Sequence, residues 1–176
     1  MATITNKTKE VIQTSEVFTG AADAPVTLVC YVDYESVACA NLNVVLNELL
    51  HKYDGKIRIN IRHFPVASQH QKAMKAAEAA VAAAQENLFW PMHNILFENQ
   101  KYLGTISLKQ YAREIGSTNK RFLDQLINGL YAWQVREDLM EGVEKGIRSV
   151  PAVFINGEFM GEEISLQSLT KKIEEF

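Results

Sequence analysis

The chain has 176 residues, of which 47% are hydrophobic and 22% are charged, values that suit one globular domain and exclude a largely disordered or collagen-like protein. Eighteen Lys and Arg residues face 21 Asp and Glu residues, so the net charge of -3 provides no basic field that would attract nucleic acid. The longest apolar stretches fall far short of the roughly 20 residues that a membrane-spanning helix needs.

Targeting and metal-binding signals are not evident in the sequence. The first twenty residues contain no apolar segment of the kind found in secretory signal peptides, so we predict a cytoplasmic location. Two cysteines do not make the disulfide framework of a small secreted protein. The four histidines lack the spacing of a zinc site, and we therefore predict neither a metal nor a cofactor.

The first predicted elements form a β-α-β unit. Residues 26–34 are apolar on both faces, which is typical of a buried central strand. Leucine and valine residues then recur at helical spacing over residues 37–53, and Gly55 ends that helix. Residues 56–62 alternate between apolar and polar side chains and predict a second strand. The short connections imply that the two strands are parallel and joined by a right-handed crossover.

The middle of the chain is predicted to be helical. An alanine-rich helix is expected over residues 69–86, and another over 90–100. Ser107 is a suitable N-cap for a third helix, Thr118 opens a further one, and residues 131–145 continue the helical pattern. We therefore expect a block of four or five helices.

Strands return near the C-terminal end. An apolar run at residues 152–155 precedes Asn156-Gly157, and a second apolar run follows, which strongly indicates a hairpin. Ser165 is predicted to cap a last helix. The order β-α-β, helices, β-β-α predicts an α/β thioredoxin-like fold with an all-helical insertion. The predicted organisation is an N-terminal extension (1–17), a thioredoxin-like domain (18–66 and 147–176) and a helical insertion (67–146).

Several short motifs resemble those of DsbA-like thiol–disulfide oxidoreductases. The segment D-Y-E-S-V-A-C at residues 33–39 lies where that family carries a C-x-x-C motif after its first core strand. Further similarities are His63-Phe64-Pro65 after the second strand, Phe89-Trp90-Pro91-Met92-His93, Phe97-Glu98-Asn99-Gln100, and Val150-Pro151 followed by AVFINGE. The resemblance covers residues 18–176 and implies a family active site at the start of the first helix.

The chain departs from the family pattern at the first motif position, which is Ser36. In the family the first cysteine is the nucleophile and the second, here Cys39, resolves the mixed disulfide. Because thiol–disulfide exchange requires an attacking thiolate, a serine hydroxyl cannot replace that cysteine. We therefore predict that dithiol exchange is lost or is limited to monothiol chemistry at Cys39. Ser36 could simply cap the helix or could contact a ligand, and Cys39 could be an inert core residue, as we expect Cys30 to be.

The remaining motif residues have both structural and functional interpretations. The resemblance implies that Pro151 follows a cis peptide bond and that the backbone of Val150 pairs with an extended substrate. Asp33 and Glu35 are predicted to be solvated turn residues. We expect His63 to be a hydrogen-bonded structural histidine.

A cluster of aromatic residues surrounds His93 in the helical block. Its members recur at helical spacing, which is more typical of a helix core than of a cofactor site. We therefore expect His93 to belong to the core of the insertion.

Three functions are compatible with these residues. The first is a DsbA-like oxidoreductase acting on protein thiols or disulfides, and the second is a redox-inactive module that binds extended peptides beside Pro151. The third is a glutathione-dependent enzyme similar to kappa-class glutathione transferases, in which Ser36 would stabilise the glutathione thiolate. Arg148 and Arg62 are the only basic residues near the site elements in sequence, whereas the two acidic residues at positions 33 and 35 would repel an anion. We therefore expect weak glutathione binding and favour a peptide or protein ligand.

Overall fold

The computed structural model describes residues 10–176 and confirms the predicted thioredoxin-like order of elements. A short 3-10 turn at Thr14–Glu16 comes first. The strands are β1 (Phe18–Gly20), β2 (Val26–Val32), β3 (Ile57–His63), β4 (Ala152–Ile155) and β5 (Glu158–Phe159). The helices are α1 (Val37–Lys52), α2 (Ala73–Ala84), α3 (Phe89–Glu98), α4 (Thr105–Glu114), α5 (Phe122–Ile127), α6 (Ala132–Glu144) and α7 (Leu166–Ile173). Within residues 10–176, no helix combines the length and apolar character needed to cross a membrane.

The five strands form one sheet in the order β1-β3-β2-β4-β5. Strands β2 and β3 are parallel, as the β-α-β pattern predicts, and the other pairs are antiparallel. Alternate residues of β2 enter different cores: Cys30 joins the main cluster, whereas Tyr31 packs with Phe64 and Ile147 on the other face. This two-sided burial explains why residues 26–32 are almost uniformly apolar.

Strand β1 was not predicted from the sequence. It has only three residues, and it pairs antiparallel with the outer edge of β3. Gly20 has a φ of +94°, and a Cβ atom at that position would lie 2.4 Å from the carbonyl oxygen of Ile57. The close approach of the two backbones therefore requires glycine. Of the predicted N-terminal extension, residues 1–9 lie outside the described part of the chain.

Five helices, α2 to α6, form the predicted helical block, but three of the predicted helix starts are wrong. Helix α2 begins at Ala73, four residues after the predicted start at residue 69. Helix α4 begins after Gly104, so Ser107 lies inside the helix and does not cap it. Thr118 does not open a helix, because its N–H and hydroxyl both donate to the carboxylate of Glu86, at 2.9 and 3.0 Å. Helix α5 starts four residues later, at Phe122. The cap prediction for Ser165 is confirmed, since its hydroxyl accepts a hydrogen bond from Ser168 N–H.

Candidate functional site

Ser36 lies at the N-cap of α1, where β2 ends and the helix begins. Its backbone is extended, and its Oγ atom accepts a hydrogen bond from the N–H of Cys39 at 3.3 Å. This contact satisfies one of the helix N–H groups that have no partner within the helix. The predicted capping role of Ser36 is therefore confirmed. The residue as a whole is half-buried.

Cys39 lies one turn further along α1 and is completely buried, with 0% of its surface exposed. Its Sγ atom accepts a hydrogen bond from the N–H of Asp33 at 3.4 Å. Burial raises the pKa of the Cys39 thiol to about 11, and the hydrogen bonds from Ser36 and from the Asp33 backbone offset only part of that increase. Cys30 is equally buried in β2, and burial raises its pKa as well. Both thiols are unpaired in the described structure and are held in the protonated form.

Asp33 corrects one prediction, because it is buried and is not a solvated turn residue. One carboxylate oxygen accepts a hydrogen bond from Glu35 N–H at 2.8 Å. The other accepts from Val66 N–H at 2.7 Å and lies 2.9 Å from Nδ1 of His70. Glu35 is only half-buried, and its carboxylate accepts from the N–H of Lys72. The two acidic side chains therefore join the start of α1 to the loop between β3 and α2.

The helical insertion holds the motif segment from the opposite side. The side-chain amide of Gln100 donates to the carbonyl oxygens of Tyr34 and Ser36, at 2.8 and 2.9 Å. The hydroxyl of Tyr34 lies 2.9 Å from Nδ1 of His93, and Nε2 of His93 lies 3.0 Å from Oδ1 of Asn43 in α1. Neither Gln100 nor Tyr34 is among the predicted site residues, although both belong to segments that carry the family resemblance. The sequence gives no signal that pairs positions 34 and 93.

His93 is buried among aromatic residues, as predicted. Its ring packs against Phe89, Trp90 and Phe97, with centroid distances of 5.0 to 5.8 Å. Burial, with a smaller contribution from the charge of His63, lowers the pKa of His93 to about 3. His93 is therefore neutral and acts as part of the core.

His63 and Arg62 belong to a buried polar network on β3. His63 is fully buried, and its Nδ1 lies 3.2 Å from Asp138 of α6, which confirms the predicted structural role. The guanidinium of Arg62 donates to Asp138 at 2.5 Å and also pairs with Glu141. Arg62, one of the two basic residues close in sequence to the site elements, is therefore paired with carboxylates of α6.

A groove of about 600 Å³ runs along α1 beside Pro151. The peptide bond between Val150 and Pro151 is cis. Within the described residues, the N–H and C=O groups of Val150 make no hydrogen bond. The groove contains two charged residues, Arg148 and Glu162. Its other lining residues come from α1, from the loop before β4, from β5 and from the segment after β5: Ala38, Asn41, Leu42, Val45, Gly146, Ile147, Ser149, Val150, Pro151, Phe159, Gly161 and Ile164.

The four residues predicted to form the site have three different environments. Ser36 caps the start of α1 and is half-buried, while Val150 and Pro151 line the groove beside that helix. Cys39 belongs to the main core and has no exposed surface. In the described residues, no group of three or more His, Cys, Asp or Glu side chains is arranged to hold a metal ion.

Comparison with known proteins identifies the family. A family model described as "Thioredoxin" matches residues 13–175. Crystal structures with the same fold include BdbD from Bacillus subtilis, with a TM-score of 0.81, 21% identity and coverage of 90% of each chain. The thiol-disulfide exchange protein alpha-DsbA2 from Wolbachia pipientis has a TM-score of 0.76 and 21% identity, with coverage of 90% of this chain and 85% of that one.

A curated relative is named Na(+)/H(+) antiporter NhaA 3, from Salinispora tropica. It is 31% identical over 154 residues, which represent 88% of this chain and 24% of the relative. The chain thus spans about a quarter of the length of the curated relatives that it matches. The family match over almost the whole chain, together with the sheet order and the helical insertion, leads to one conclusion. The chain belongs to the thioredoxin family and has the fold of its DsbA-like thiol–disulfide oxidoreductases.

Proposed function

We propose that this DsbA-like protein binds an extended polypeptide segment in the groove beside Pro151 and does not carry out dithiol exchange. The observation that carries the proposal is the combination of a half-buried serine, Ser36, at the first motif position with a Cys39 that has 0% exposure. An exchange cycle needs one thiolate that can reach a substrate disulfide and a second thiol that resolves the intermediate. Here the group at the first motif position is a hydroxyl, and the buried thiol is protonated.

The groove supplies groups that suit a polypeptide. The unpaired N–H and C=O of Val150 can form the backbone hydrogen bonds of an added strand. Next to them, Leu42, Val45 and Ile164 provide apolar surface for a side chain. A volume of about 600 Å³ accommodates a short extended segment with its side chains.

An insulin-reduction assay tests the redox part of the proposal. With dithiothreitol as the reductant, the unmodified chain should show no turnover above the rate of dithiothreitol alone. Ser36→Cys should speed insulin reduction, because it restores a thiol at the first motif position and dithiothreitol re-reduces the disulfide that it forms with Cys39 in each cycle. The double variant Ser36→Cys/Cys39→Ala is the matched control, since it keeps the thiol at the first motif position and removes the resolving one. Robust turnover by the unmodified chain would refute this part of the proposal.

A binding measurement tests the groove. The probe is the insulin B chain with its thiols blocked by carbamidomethylation, so that no disulfide can contribute to binding. Ala38→Arg places a large side chain in the groove and should weaken binding at least tenfold. Val44→Arg is the control, because Val44 lies on the same helix, is 68% exposed and does not line the groove. Equal binding by both variants would mean that the polypeptide binds elsewhere, and no binding by the unmodified chain would refute the proposal.

Glutathione fits the groove less well than a polypeptide. Its two carboxylates call for basic partners, and among the lining residues the groove offers one, Arg148, together with the acidic Glu162. We expect a dissociation constant in the millimolar range or weaker by calorimetry. A micromolar constant that is lost in Ser36→Ala would instead support the glutathione-dependent enzyme.

The antiporter relatives contribute one further proposal. The shared region covers 88% of this chain and 24% of the Salinispora protein. Since the thioredoxin-family match covers residues 13–175 of this chain, we infer that the shared region is a thioredoxin-like unit in both proteins. We transfer no ion-transport role to this chain.

A further inference from the structure

Helix α6 presents an apolar surface that the described chain leaves uncovered. Trp133, Met140 and Val143 are 40%, 62% and 60% exposed. Met140 lies seven positions after Trp133, which is close to two helical turns, and Val143 follows about one turn later, so the three side chains share one side of α6. The opposite side packs into the protein through Val135, Asp138 and other buried residues. Large apolar side chains that cluster on an exposed helix face are characteristic of interaction surfaces.

The charges on this face are arranged so that the face complements a second copy of itself. Arg136 lies four residues before Met140, and Glu144 lies four residues after it. Both are exposed, and in the described part of the chain neither has an ion-pair partner within 4.0 Å. When two such helices lie antiparallel with the Met140 side chains facing each other, a residue four before the axis faces a residue four after it. Arg136 then meets Glu144 of the partner subunit, and the two-fold axis repeats that pair.

Other antiparallel registers are less favourable. If the two-fold axis lies between residues 140 and 141, Glu137 faces Glu144 of the partner subunit, which brings two like charges together. If the axis lies between residues 138 and 139, Arg136 faces Glu141 of the partner subunit. Within each subunit, Glu141 is already paired with Arg62. Exposed ion pairs contribute little affinity, but they distinguish between registers.

We infer that the exposed face of α6, defined by Trp133, Arg136, Met140, Val143 and Glu144, is a homodimer interface with Met140 on the two-fold axis. A net charge of -3 opposes self-association only weakly. A face of 13 residues is about 20 Å long, which is smaller than a standard stable interface. The dimer is therefore weak, with a dissociation constant in the micromolar range or above.

Disulfide trapping tests the position of the axis. Cys30 and Cys39 have no exposed surface, so Met140→Cys introduces the one accessible thiol of the described chain. With oxidised glutathione as the oxidant, two such thiols facing each other should lose two protons and two electrons and form a covalent dimer within minutes. The control is Ile106→Cys, because Ile106 is 71% exposed but lies on α4. Equal rates of dimer formation in the two variants would overturn the assignment of the axis.

Sedimentation velocity, run over a concentration series, tests the register. Arg136→Glu and Glu144→Arg should each shift the dimerisation midpoint at least threefold to higher concentration, because each places like charges opposite one another twice. The double variant Arg136→Glu/Glu144→Arg should restore the original midpoint, and circular dichroism establishes that each variant is folded. A double variant no better than the singles would refute the register, and an unmodified chain that stays monomeric up to millimolar concentration would refute the interface.

Discussion

The protonation and burial of Cys39 lead to a quantitative prediction about thiol reactivity. The pKa of about 11, compared with 9.0 for an unperturbed cysteine, reduces the thiolate fraction at pH 8. The two values correspond to thiolate fractions of about 0.1% and about 10%, a difference of about 100-fold. Because the thiolate is the reactive form, its lower concentration slows alkylation and disulfide exchange, while the greater nucleophilicity of a thiolate with a higher pKa recovers up to about tenfold of the rate. The complete burial of Sγ can only slow the reaction further.

Reaction with a chromogenic aromatic disulfide provides the assay. In concentrated guanidinium chloride both cysteines should react at the rate of a free thiol. In the native protein at pH 8, both should react at least about tenfold more slowly. Ser36→Cys is the positive control, because it should add one fast equivalent while Cys30 and Cys39 stay slow. The reasoning would be wrong if the native protein released one fast equivalent, with a pH midpoint below 8, and lost it in Cys39→Ala.

Three further predictions concern stability, each measured by chemical denaturation. Gly142→Ala should destabilise the protein by about 1–3 kcal/mol, because a Cβ atom there would lie 2.6 Å from a ring carbon of Phe64; Gly104→Ala, where the added atom meets open space, should change little. Burial opposes ionisation of Asp138, but hydrogen bonds and nearby positive charge outweigh this effect and lower the pKa of the carboxyl group. The ionised carboxylate therefore stabilises the fold fully above pH 3.8, and this stabilisation is lost as the pH falls through the lowered pKa. Asp138→Asn should therefore lower the free energy of unfolding by about 3 kcal/mol near neutral pH and reduce the loss of stability at acidic pH. An unchanged loss of stability at acidic pH would show that Asp138 is not the group responsible. Ser36→Ala should cost about 1 kcal/mol through loss of the N-cap, and no loss of stability would show that the cap contributes nothing.

The elements that could be predicted from sequence are those in which local chemistry and tertiary packing agree. Strand β2 is apolar on both faces because both faces are buried, and Ser36 and Ser165 cap helices because their hydroxyls reach N–H groups three residues away. Strand β1 has no comparable local signal. Its three residues become a strand because β3 pairs with them, and that partner lies about forty residues away.

In the candidate site, too, features with a local sequence signal could be predicted and features set by distant residues could not. The position of Ser36 could be inferred because the motif and its helix are adjacent in sequence. The burial of Asp33 could not, because its hydrogen-bond partners Val66 and His70 lie more than thirty residues further along the chain. Arg62 has a similar explanation, since its carboxylate partner Asp138 comes from the last helix of the insertion.

The contact between Gln100 and the motif has a consequence for transplanting this site. The carbonyl groups of Tyr34 and Ser36 receive their hydrogen bonds from a residue 64 or more positions away, within the helical block. A thioredoxin without an insertion that received residues 33–39 would have the same motif sequence but would lack the side-chain amide that donates to those two oxygens. The motif sequence can therefore be transferred to another protein, but the hydrogen bonds from Gln100 that hold its backbone are not transferred with it. Conversely, a substitution at position 100 can alter the start of α1 without changing any residue in it.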